Sequence, residues 1–175
     1  MDIRNVKEFF KDSSIYILIF FIIIIIVVFI VGLAQVVGSS MQPTLRQDDI
    51  VVVSKIHYRL FSVNRFDIVS FRHQDAQYLI KRVIGLPGEH IAYFDNDLYV
   101  DGEIVEEYFL DDIRTGNFEL EKIDYQVIPE NYYFVMGDNR DNSLDSRTIG
   151  LIKRDDLVGK SLLRIFPVHQ IKIVR

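Results

Sequence analysis

At 175 residues the chain has room for about one domain with a core of its own. Twenty basic side chains against 25 acidic ones leave a net charge of −5, which offers no basic footprint for nucleic acid. There is no cysteine, so thiol catalysis, disulfides and thiolate metal sites are excluded together.

Residues 1–12 carry Arg4, Lys7 and Lys11 among Asp2, Glu8 and Asp12. No formal charge follows between Ser13 and Val37, and Ile15 to Val31 is apolar without interruption. A membrane span needs roughly 20 apolar residues at about 1.5 Å of rise each, so residues 13–33 are expected to form one transmembrane helix. Helix is the form a single span must take where every backbone group has to bond within the segment. Lys and Arg crowd its N-terminal side, and none occurs beyond it before Arg46. That asymmetry keeps residues 1–12 in the cytoplasm and puts residues 34–175 outside the cell. A cleaved signal peptide is the alternative, because Gly32-Leu33-Ala34 supplies small residues. The apolar core of such a peptide is about 7–15 residues, and this run is longer, which favours a retained anchor.

Beyond the anchor the pattern is β. Ile50-Val51-Val52-Val53, Phe66 to Phe71 and Gln77 to Ile84 read as strands, the last ended by the turn Pro87-Gly88. His90–Phe94 and Leu98–Val100 flank Asp95-Asn96-Asp97 as a hairpin, and Asp101-Gly102 is a further turn. Glu103 to Gln126 is charged and weakly patterned and is expected to hold little regular structure. Tyr132–Met136, Val158–Phe166 and Gln170–Val174 complete the strands. The fold class expected is mostly β: one antiparallel β-sheet domain behind one N-terminal helix.

Ser40 is set apart from the other serines by its neighbours. Gly38 permits an unusual backbone angle, and Pro43 fixes its own φ and biases Gln42 toward extended geometry. Such a turn can present an Oγ and aim backbone N–H groups at one point. A polar linker leaving the membrane would have the same look in isolation. A serine nucleophile also needs a base. His57, His73, His90 and His169 lie apart in different segments, and Gly-x-Ser-x-Gly, His-Glu-x-x-His and Ser-x-x-Lys at Ser40 are all absent. A Ser-His-Asp triad assembled in space stays open, because triads are recognised by geometry.

Lys81 is the stronger candidate base. Alternation puts Leu79, Lys81 and Val83 on one face of their strand and Tyr78, Ile80, Arg82 and Ile84 on the other. Either Lys81 or Arg82 must then share a face with apolar residues. A lysine in such company loses hydration, its pKa falls, and only its neutral form can take a proton from a serine. A lysine snorkelling from an edge strand is the alternative.

Gly137-Asp138-Asn139-Arg140-Asp141-Asn142-Ser143-Leu144-Asp145-Ser146-Arg147 is rich in Asp and Asn but is no EF-hand. Counted from Asp138, the third position is Arg140, the sixth Ser143 and the twelfth Ile149. Alternating signs suggest an interlocked network of Asp138, Arg140, Asp145 and Arg147 that could hold Ser143 in place. A solvated charged turn is the alternative. No metal and no other cofactor is expected.

Together, Ser40-Met41-Gln42-Pro43-Thr44-Leu45, Lys81-Arg82-Val83-Ile84-Gly85-Leu86-Pro87-Gly88-Glu89 and Gly137–Arg147 resemble the three boxes of type I signal peptidase, the membrane-bound Ser/Lys protease that removes signal peptides. The resemblance implies Ser40 as nucleophile, Lys81 as general base and Ser143 as the hydroxyl that orients the lysine. It makes Asp145 and Arg147 a structural ion pair and Asp138 and Arg140 further scaffold. Some members carry a hydroxyl residue two before the nucleophile that serves the oxyanion hole. Here that position is Gly38, so backbone N–H groups of Gly38 and Ser40 would serve instead. Leu45, Leu79 and Ile80 are implied as pocket or edge residues that accept small side chains at −1 and −3. The implied partners are signal-peptide-bearing preproteins and the lipid bilayer, and the short spacing between the second and third boxes resembles the compact Gram-positive type. Two rivals remain. A soluble Ser/Lys relative such as a self-cleaving repressor is disfavoured by the anchor and the third box, and a membrane-tethered, non-catalytic paralogue that binds partner proteins is disfavoured by the presence of both Ser40 and Lys81.

Overall fold

The computed structural model describes residues 3–25, 30–74, 77–110 and 113–174, with side chains from Ser13 onward. Helix α1 (Ile3–Ile25) is followed by β1 (Val31–Gln35), β2 (Ile50–Ser54), the single turn of α2 (His57–Leu60), β3 (Ile68–His73) and β4 (Gln77–Gly85). Next come β5 (Ile91–Phe94), β6 (Asp97–Val100), β7 (Glu103–Val105), β8 (Phe118–Glu119) and β9 (Tyr132–Met136). The short α3 (Ser146–Ile149), β10 (Ile152–Lys153), β11 (Leu157–Phe166) and β12 (Lys172–Ile173) close the chain.

Every pairing is antiparallel. An eight-stranded sheet runs β1-β2-β11-β3-β4-β9-β10 with β12 on β11, and a four-stranded sheet runs β7-β6-β5-β8. The mostly β, antiparallel expectation therefore holds. So does the hairpin: Phe94 pairs with Asp97, and Asp95 and Asn96 between them take φ of 50° and 78°, as a two-residue hairpin turn requires.

Three expectations change. The helix expected over 13–33 starts earlier, and its last residues are not helical: Val31–Leu33 belong to β1, where Val31 faces Ser54 and Leu33 faces Val52. Their backbone groups bond to a neighbouring strand, a partner the linear pattern cannot announce; residues 26–29 lie outside the described residues. Among the described residues no helix is long and apolar enough to cross a membrane, since α1 includes Arg4, Lys7, Glu8, Lys11 and Asp12. Glu103–Gln126, expected to be irregular, supplies β7, β8 and a 3-10 turn at Leu120–Ile123. These elements are too short to display a period, yet Phe118 and Leu120 are buried. The last strand shrinks to Lys172–Ile173 because a 3-10 turn takes Val168–Gln170.

Three apolar cores follow from the pleat of β4. Leu79 and Val83 face Val69, Phe71, Tyr133 and Val135. Ile84 faces the small sheet through Ile91, Tyr93 and Leu98, with Phe134 of β9 in the same cluster. Ile80 packs beside Met41, Leu45, Val51, Val53 and Ile68. β4 pairs with β3 from Gln77 to Arg82 but with β9 only from Arg82 onward, so its other edge is open from Gln77 to Lys81 among the described residues.

Gly159 marks the tightest crossing in the large sheet. A Cβ there would overlap the Ser54 carbonyl, which is backbone and cannot yield without parting β11 from β2. Gly159→Ala is expected to cost about 1–3 kcal/mol of stability, read as a lower urea midpoint at unchanged slope. An unchanged midpoint would show that the two strands separate freely.

Candidate active site

The loop from Gly38 to Leu45 is pinned at both ends. Gly38 takes φ of +84°, a conformation that side-chain-bearing residues rarely adopt. The N–H of Gln42 donates to the Ser39 carbonyl at 3.1 Å and that of Leu45 to the Met41 carbonyl at 2.9 Å. These turns bury Met41 and Leu45 in the core and leave Ser40 half-buried between them and Gly38. Leu45 is fully buried there, so it has no surface to offer a ligand.

β4 brings Lys81 to this loop. Its Nζ lies 2.6 Å from Ser40 Oγ, and the residue is only 2 % exposed. Burial lowers the Lys81 pKa to about 8, against the opposing pull of the Asp145 and Asp138 charges. None of the four histidines hydrogen-bonds to Ser40 among the described residues; His90 pairs with Glu121 at 3.2 Å and His169 with Gln170. The sequence left open whether Lys81 or Arg82 would be buried. Both are, on opposite faces, because β4 is covered on both sides.

The stretch after β9 folds over the serine loop. The Asn139 N–H donates to the Ser40 carbonyl at 3.0 Å, its Nδ2 donates to the Ser39 carbonyl at 3.1 Å, and Asn142 Nδ2 donates to Ser39 Oγ at 3.1 Å. Gly137 permits this approach, since a Cβ there would overlap both the Ser40 carbonyl and Ser143 Oγ. The Ser143 hydroxyl is buried beside these groups, and no well-aligned hydrogen bond joins it to Lys81 or any other group among the described residues.

The acidic and basic residues of this stretch find partners at different distances along the chain. Asp145 pairs with Arg147 through two bonds of 2.9 Å and accepts the Gly137 N–H at 3.1 Å. Burial works against the Asp145 charge, but Arg147, the Gly137 N–H and the nearby Ser143 hydroxyl outweigh it and hold the pKa below the usual carboxylate value. Asp138 does not pair with Arg140. It takes a bidentate pair from Arg82 at 2.8 and 2.7 Å, with both side chains fully buried, and it also accepts the Thr44 hydroxyl. Arg140 reaches the other way, to Glu107 at 2.5 and 3.1 Å, to Tyr93 and Thr115, and back to the Gly137 carbonyl.

Arg82 and Glu107 are thus members of the network that sequence reasoning did not assign to it. The apolar surroundings of Arg82 were a signal, because a buried guanidinium needs a carboxylate. Glu107, in a weakly patterned stretch, carried none. Of the implied pocket residues, Ile80 lines a groove of about 390 Å³ with Gly32, Ala34, Val53, Ser70 and Tyr78. Leu79 points to the opposite face and packs on the core around Val69.

Comparison with known proteins gives the family. The family model described as "Signal peptidase, peptidase S26" matches residues 7–166. Signal peptidase I of Bacillus caldolyticus is 39% identical over 151 residues, covering 81% of this chain and 83% of the relative. Signal peptidase I V of Bacillus subtilis (strain 168) is 43% identical over 134 residues, 71% of this chain and 80% of the relative. Signal peptidase IB of Staphylococcus aureus is 36% identical over 157 residues, 82% of each chain. The crystal structure of a signal peptidase I from Enterococcus faecalis V583 superposes with a TM-score of 0.53 at 36% identity, over 57% of this chain and 97% of that one. With a serine and a buried lysine in contact on an antiparallel β fold, and a family match spanning nearly its whole length, the chain belongs to the signal peptidases of family S26, the serine peptidases that include signal peptidase I.

Proposed function

We propose that this chain cleaves signal peptides from exported preproteins after small residues, with Ser40 as nucleophile and Lys81 as general base. The observation that carries the reading is the 2.6 Å approach of a buried lysine amine to the Ser40 hydroxyl. Neutral Lys81 takes the Ser40 proton as Oγ attacks the scissile carbonyl carbon. The resulting ammonium protonates the departing amine as the C–N bond breaks, leaving an ester on Ser40. A water deprotonated by Lys81 then releases the acyl group. The Ser40 N–H, engaged by no protein acceptor among the described residues, is the donor for the oxyanion, with Gly38 shaping the turn and offering a second N–H. Ser143 supplies the hydroxyl that steadies the Lys81 amine between proton transfers, and Asp138, Arg140, Asp145 and Arg147 keep its loop closed over Ser40.

Substrate binds extended along the open edge of β4 from Gln77 to Lys81, adding a strand there. Ile80 and the groove beside it receive the −3 side chain, the first Ala of an Ala-x-Ala site. The N-terminal apolar run holds the domain at the membrane as a single-pass anchor with its N-terminus in the cytoplasm. From Ile15 to Ile25 the side chains of α1 are exposed, which suits contact with lipid better than with water.

In detergent, wild type is expected to cut a preprotein after the second Ala of Ala-x-Ala. Ser40→Ala and Lys81→Ala, folded by circular dichroism, should each lose about 10³-fold or more in kcat. Residual cutting by Ser40→Ala near the wild-type rate would remove Ser40 as nucleophile. Because only the neutral amine accepts a proton, kcat/KM should rise about tenfold per pH unit below the Lys81 pKa and level off above it. The bend is expected near pH 8, as burial sets it; a profile that is flat between pH 6 and 9 would count against Lys81 as base. Gly137→Ala should stay folded yet lose about 10²-fold in kcat, since its Cβ pushes Ser40 and Ser143 out of line. Unaltered kcat in that variant would separate the third box from catalysis.

A further inference from the structure

Strand β3 buries a polar residue in an apolar row: Ile68, Val69, Ser70 and Phe71 all lie inside the fold. The Ser70 Oγ has no hydrogen-bond partner among the described residues. Buried hydroxyls are nearly always partnered, so an orphan asks what completes it. Ser143, in the loop over Ser40, and Ser161 on β11 are the other orphans among the described residues, and neither lines the groove beside Ile80. Ser70 does. It stands directly across from Ile80 in the β3–β4 register, and both line the groove of about 390 Å³ beside the open edge of β4. Directly opposed residues share a face, so the Ser70 side chain stands beside that of Ile80 on the groove side. One torsion, χ1, turns the hydroxyl toward the groove. Across from it, Gly32 and Ala34 of β1 are small and leave room for a side chain larger than Ala.

A peptide extended along β4, with its reacting carbonyl at Ser40, places its −1 and −3 side chains on one face, about 7 Å apart. Stepping back from Lys81 along β4 leads to Ile80 and Tyr78, both of which line this groove. We propose that Ser70 is a specificity-determining residue, whose hydroxyl pairs with a hydroxyl-bearing side chain at −3 and so selects Thr or Ser there over an apolar isostere. This rests on the signal-peptide-cleaving reading of the same site. A groove with an unpaired buried hydroxyl discriminates against the analogue that lacks a partner for it.

Thr and Val have nearly the same shape, which isolates the hydroxyl. Full-length protein in detergent would be given matched peptides carrying Thr-x-Ala, Val-x-Ala and Ala-x-Ala, and kcat/KM ratios would be taken within each preparation so that differences in folded fraction cancel. Wild type is expected to favour Thr over Val by about fivefold or more, the worth of one net hydrogen bond. Ser70→Ala should bring that ratio to about one or invert it, and Ser70→Thr should keep it. Should Ser70→Ala fail to fold, Ser70→Cys gives up the strong hydroxyl at similar size and carries the same comparison. The inference is overturned if wild type cuts both peptides equally, or if the preference survives loss of the hydroxyl. Ser40-dependent cutting of Ala-x-Ala with a Thr/Val ratio of one removes this inference alone. No Ser40-dependent cutting of any peptide removes the catalytic reading and this inference with it.

Discussion

An amine held out of water beside a hydroxyl is the constraint on which the rest of this structure depends. In water a lysine keeps its proton to about pH 10.4 and is useless as a base. Lys81 is shielded by the serine loop on one side and by the sheet on the other, and that burial brings its pKa to about 8. Near neutral pH a sizeable minority of molecules then holds the free amine. Exposing the ε-amino group by tilting β4 or lifting the serine loop would undo this, so both are fixed from several directions.

The neighbouring residue does much of that fixing. Arg82 points to the opposite face of β4, and its bidentate pair with Asp138 ties the strand to the segment that covers Ser40. Removing one partner of so buried a pair typically costs about 3–5 kcal/mol, because the other charge is stranded. The Phe109 ring covers the guanidinium, its centroid 3.7 Å from the guanidinium carbon. The pairing has an electrostatic side as well. Asp138 and Asp145 both favour the protonated form of Lys81, and each is itself matched by an arginine, Arg82 and Arg147. Their hold on the lysine proton is weaker for it.

The small sheet belongs to the same scheme. Glu107 follows β7, and with Tyr93 and Thr115 it grips the Arg140 guanidinium, whose Nε in turn holds the Gly137 carbonyl. Ser143 and the Ser40 carbonyl both crowd the space beside the Gly137 Cα. The second sheet therefore acts as a brace for the third box, reached through one buried arginine. On the other flank, no strand among the described residues pairs with the edge of β4 from Gln77 to Lys81, and the groove around Ile80 lies beside it, where an extended peptide has room to lie.

The sequence by itself determined the apolar N-terminal run, the antiparallel β class, a hairpin around Asp95-Asn96-Asp97 and the side of β4 that each residue faces. Each of these follows from short-range rules: hydropathy over a window, alternation of period two, and turn residues that tolerate positive φ. Three stretches also stood out through their resemblance to the boxes of a known family. Tertiary structure alone decided who pairs with whom. Asp138 and Arg140 are two apart, yet they turn to Arg82, 56 positions earlier, and Glu107, 33 positions earlier. Val31–Leu33 continue an apolar run but become strand because β2 offers them backbone partners. Leu45, implied as a pocket residue, is fully buried in the core, and Ser70, assigned no role from the sequence, borders the groove. Charge pairing and burial are settled by residues far apart in the chain, and only the closed fold brings them within range of one another.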